Sequence, residues 1–66
     1  MHNIRTTQLL ESFSLHAELS AHIGPAELTP WTIRLVAAIE ADDEGRLELV
    51  IISMDVELVR HREYAR

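Results

Sequence analysis

His16, Glu18 and His22 are the residues of this chain best suited to holding a metal ion. Imidazole nitrogen and carboxylate oxygen suit zinc and other borderline divalent cations. On an extended segment His16 and Glu18 would project from one face ~6.5 to 7 Å apart, with His22 farther along. A neighbouring strand or a symmetry-related copy would then have to supply the remaining ligand. The spacing matches no recognised metal motif, so the plainer expectation is a solvated polar face with neither metal nor cofactor.

A second oxygen-rich group, Asp42, Asp43 and Glu44, precedes Gly45. Calcium takes oxygen ligands, but its helix-loop-helix motif needs alternating acidic residues around a central glycine and a distal glutamate, and that pattern is absent. These residues are expected to be a solvated turn. Ser12, Ser14, Ser20 and Ser53 are available as nucleophiles, yet no nucleophile-elbow pattern accompanies them. Two glycines are too few for a phosphate-cradling loop. The chain is therefore expected not to be an enzyme.

The elements that would position these residues are read from hydropathy. From Phe13 to Ile23 apolar and polar residues alternate strictly: Phe13, Leu15, Ala17, Leu19, Ala21 and Ile23 against Ser14, His16, Glu18, Ser20 and His22. Alternation of this kind is the signature of a half-buried strand. Gly24-Pro25 ends the segment. Trp31, Ile33, Leu35, Ala37, Ile39 and Ala41 repeat the pattern, Asp42 to Gly45 reads as a four-residue turn, and Arg46 to Val59 is rich in Leu, Val and Ile.

The expected fold is therefore all-β, a three-stranded antiparallel meander over about 11–23, 31–41 and 46–59. The even turn would oppose Trp31 to Val56, Ile33 to Met54, Leu35 to Ile52 and Ala37 to Val50, whereas a slip of one residue would expose the whole set. The alternative is α+β with a helix at about 30–41. Thr29 could cap it, Pro30 open it, Trp31, Leu35 and Ile39 share one face, and Gly45 end it. The chain reads as one small domain with an N-terminal lead over about 1–10 and an arginine-rich tail over 60–66.

At 66 residues with no cysteine, such a domain has neither disulfides nor thiolate metal sites to support a thin core. Val36, Ala38, Leu47, Leu49 and Ile51 would form a second apolar face on the sheet. Covering ~300 Å² of it at ~25 cal/mol per Å² is worth several kcal/mol, so a homodimer or larger assembly through that face is expected. The longest apolar run, Leu35 to Ile39, falls far short of the ~20 residues of a membrane span. Nothing in the first residues resembles a secretion signal, and a cytoplasmic protein without membrane contact is expected.

The net charge of −5 argues against direct nucleic-acid binding, because affinity for phosphates depends on cations displacing counterions. Arg60, Arg62 and Arg66 reverse the sign at the C-terminus. The leading functional expectation is a small acidic, non-catalytic interaction module, an inhibitor, adaptor or regulator of a protein partner. It would meet a basic surface through Glu40, Asp42, Asp43, Glu44 and Glu48, in the manner of a charge mimic. A phage-encoded inhibitor would be of this class. The alternative is a structural subunit whose task is self-assembly, and the second alternative an intersubunit metal site or enzyme built on His16 and His22.

Overall fold

A computed structural model describes residues 4–64, with side chains from 6 to 63. The chain forms three α-helices, α1 (Ile4–Ser20), α2 (Pro25–Glu40) and α3 (Glu44–Tyr64), and no strand among the described residues. The all-β meander is overturned. So is the α+β alternative: residues 30–41 fall almost entirely within α2, but the segments on either side are helical as well.

The reason lies in how two periods overlap. In a helix, residues four apart lie close to one line on the surface, whereas residues two apart point nearly opposite ways. Taken alternately, the odd residues of 13–23 therefore divide into two sets. Leu15, Leu19 and Ile23 pack into the core, while Phe13, Ala17 and Ala21 face outward. In α2, Trp31, Leu35 and Ile39 likewise face inward, and Ile33 and Ala37 outward. Apolar residues on both sides of a helix imitate a strand. For the first segment composition decides between them: Gln8 to His22 contains no β-branched residue and is dense in Leu, Ala and Glu, which favour helix.

Helix boundaries follow local chemistry. Gly24, extended at φ −75° and ψ 165°, precedes α2, and Pro25 occupies its first turn, where the missing N–H would have had no helical partner. The helix continues through Pro30, so Thr29-Pro30 is not its start. Asp42 has a φ of 56°, a left-handed conformation that a short Asp side chain tolerates better than most residues. The Asp42 and Asp43 amides donate to the carbonyls of Ile39 and Ala38 at 3.1 and 3.3 Å, the paired closure of a helix that turns back on itself. Asp43 then starts α3, its Oδ1 accepting from the Arg46 amide at 3.1 Å. Gly45, expected in the turn, lies inside α3.

The core is built on α3. Leu47, Val50, Ile51, Met54 and Leu58 form its inner face and meet Leu19 of α1 with Leu35 and Ala38 of α2. Leu19, Met54 and Leu58 are wholly enclosed, as is Ser12, whose hydroxyl donates back to the Leu9 carbonyl at 2.8 Å.

Candidate interaction surface

The metal-ligand candidates are dispersed by the helical geometry. His16 lies between α1 and α2 with Nε2 2.7 Å from the Thr32 hydroxyl, so it links two helices. Glu18 projects outward and accepts from Arg62 at 2.6 Å. His22 lies exposed beyond the end of α1. Among the described residues no three His, Cys, Asp or Glu side chains converge as a metal site would require.

Glu40, Asp42, Asp43, Glu44 and Glu48 do gather at one end of the bundle, around the α2–α3 connection, and all are exposed. Part of this group is committed to the fold. Asp43 caps α3, and Glu44 adds a negative charge in the first turn, where the exposed amides favour it. Glu48 accepts from the Gln8 amide at 3.4 Å. The cleft beneath the connection is about 10 Å³, too small for more than one water.

The five residues expected to form an oligomer face are divided. Ala38, Leu47 and Ile51 lie in the bundle's own core, and Val36 and Leu49 lie outside. The arginine-rich segment continues α3 to Tyr64. Arg62 pairs with Glu18, and Arg60 with Glu57 at 3.5 Å; Arg66 lies outside the described residues. Residues 4–10, expected as a lead, are the first turns of α1.

What pattern reading missed is the outer apolar surface. Leu10 and Phe13 on α1, Ile33 and Val36 on α2, and Leu49, Ile52, Val56 and Val59 on α3 are each 43 to 66% exposed. On α3 the four occur at spacings of 3, 4 and 3, a seam diametrically opposite the core face. This ridge separates two grooves. One, of about 380 Å³ between α2 and α3, is walled by Trp31, Ile33, Ala37 and Leu49 and rimmed by Arg34 and Arg46. The other, of about 440 Å³ between α1 and α3, is walled by Leu15, Ile52 and Val56 and rimmed by Glu11, Glu48 and Asp55. Arg34 lies over the Trp31 ring at 5.0 Å, a cation–π contact.

No protein-family model matches this chain, and no curated protein or solved structure shows significant similarity to it. No helix among the described residues is long and apolar enough to cross a membrane.

Proposed function

We propose that this chain is a small, non-catalytic interaction module that acts by docking on a protein partner, as an inhibitor, adaptor or regulator working in the cytoplasm. The observation that carries the reading is the exposure of eight large apolar side chains on the outside of all three helices. Scattered exposed apolar residues are ordinary, but contiguous ones mark association surfaces.

The surface offered to a foreign partner is the outer side of α1. Leu10 and Phe13 supply apolar area, and Leu10 directly follows the two residues by which α1 meets the acidic connection: Leu9 shares a cleft with Asp42, Asp43 and Glu44, and Gln8 reaches Glu48. An apolar anchor beside exposed carboxylates suits a partner with an apolar depression rimmed by basic residues. The carboxylates accelerate encounter, and the apolar pair holds the complex.

The test replaces Phe13 by a photo-crosslinking amino acid and irradiates the protein in the cells that produce it. A discrete heavier adduct is expected, fading when Glu40 and Glu44 are reversed to Lys. An unmodified band at Phe13, with the same outcome at Leu10, would remove the reading.

A further inference from the structure

We infer that the α3 ridge is covered by a second copy of this chain, with the two α3 helices parallel and each protomer's basic groove closed over its partner's acidic groove. The inference rests on the reading that the outer apolar faces are docking surfaces, and it assigns one of them an occupant.

Spacing supplies the seam. Leu49, Ile52, Val56 and Val59 recur at alternating intervals of three and four, which is the repeat by which two helices interlock side by side. These four point away from their own core and have no partner helix in the monomer.

Charge selects both the occupant and its direction. The α2–α3 groove carries Arg34 and Arg46 and no carboxylate on its walls. The α1–α3 groove carries Glu11, Glu48 and Asp55 and no base. Among the described residues none of these five side chains forms an ion pair within the protomer. The two grooves lie on opposite sides of one ridge at similar heights along α3. A two-fold axis parallel to α3 exchanges left for right without exchanging top for bottom, so it sets basic groove against acidic groove twice over. An axis across α3 would instead set basic against basic and acidic against acidic. Facing like charges is destabilising, so the parallel arrangement is selected.

Area is sufficient. A stable interface takes ~800 Å² from each partner, roughly a sixth of the 4793 Å² surface of this chain. A ridge with both flanking grooves makes up one whole side of a three-helix bundle. Such pairing is isologous, as in most two-fold dimers.

The chain has no native cysteine, which makes the test clean. Light scattering across a dilution series should give twice the monomer mass. Leu49→Cys and Val59→Cys, made separately, should each form a disulfide with its own copy. The two positions are ~15 Å apart along the helix, so only parallel helices can place both against themselves; cross-linking solely in a mixture of the two variants overturns the parallel arrangement. Arg34→Glu with Arg46→Glu, and separately Glu48→Arg with Asp55→Arg, should each weaken the dimer at least ~tenfold. Mixed in equal amounts they should recover wild-type affinity within ~threefold, because each groove again meets its opposite. All four positions are exposed, and helical circular dichroism verifies that each variant folds. Failure of the mixture to recover overturns the groove-to-groove contact. A folded wild-type monomer at every concentration overturns the inference altogether. In that case an adduct at Phe13 or Leu10 leaves the interaction reading standing, and its absence at both removes that reading as well.

Discussion

Met54 is a wholly enclosed member of the core, so its truncation tests what the interior contributes. Replacing a buried Met by Ala removes transfer free energy and leaves a cavity, typically ~2 to 5 kcal/mol. A bundle of this size holds only ~3 to 5 kcal/mol in total. Met54→Ala is therefore expected to unfold most of the population at room temperature, seen as lost helical signal and a urea midpoint near zero. Gln8 gives the opposite sign. Its amide nitrogen reaches Glu48 at a long 3.4 Å, while its Oε1 is buried with no partner, and an unmet acceptor costs ~1 to 3 kcal/mol. Gln8→Met keeps the stem in place and removes the orphan oxygen. The expected result is a gain of ~1 kcal/mol, measured as a higher urea midpoint at unchanged slope; a loss would show that the contact to Glu48 outweighs the stranded acceptor.

At the scale of elements, α3 begins with a conflict that single substitutions can separate. Asp43 satisfies the Arg46 amide, and removing such a cap costs ~0.5 to 2 kcal/mol. Gly45, two residues on, holds an ordinary helical position, and a Cβ built there meets only Asp43 Oδ1 at 3.5 Å. Gly45→Ala should stabilise by ~0.5 to 1 kcal/mol through the chain entropy of the unfolded state, while Asp43→Ala destabilises by a similar or larger amount. Thermal unfolding of the pair and the double variant checks both signs. Gly45 also explains part of what was legible in the sequence. Asp42 and Asp43 of the expected Asp42 to Gly45 turn, and Gly24 of Gly24-Pro25, do lie between elements, whereas Glu44, Gly45 and Pro25 are already helical, since such residues punctuate the chain but do not fix which side of the break they join. The i, i+4, i+8 row of Trp31, Leu35 and Ile39 was a true inward helical face. The identity of the elements was hidden because Phe13, Ala17, Ile33 and Ala37 place apolar groups on the outer faces. An alternation count cannot distinguish a helix apolar on two sides from a strand apolar on one. The absence of β-branched residues from 8–22 was the signal that separated them for α1; α2, with Thr32, Ile33, Val36 and Ile39, carried no such signal. The candidate site was illegible for the same cause: Ala38, Leu47 and Ile51 share a sheet face with Val36 and Leu49 only if the backbone is extended.

The whole molecule is a thin body. Its Cα atoms span 42 × 23 × 15 Å, so the shortest dimension leaves room for one layer of interior side chains and the outer apolar residues have nowhere to go within the monomer. Thinness sets marginal stability, and topology sets speed. Connections of four residues (21–24) and three (41–43) join consecutive helices, so closing either loop costs little entropy. Domains dominated by local contacts of this kind fold in microseconds to milliseconds, whereas sheets assembled from distant segments take milliseconds to seconds. Association would add a concentration-dependent phase, so the intrinsic rate is best read on Val56→Arg, which puts a charge on an exposed ridge position and leaves the core untouched. A temperature jump on this variant should relax as a single exponential faster than ~1 ms, independent of protein concentration. The wild-type chain should share that fast phase and add a slower one whose rate rises with concentration, because the partner surface is completed only after the helices have closed on Met54. A single slow phase in Val56→Arg would mean that α1 and α3 must find each other before α2 forms, contrary to the order in which short connections bring the helices together.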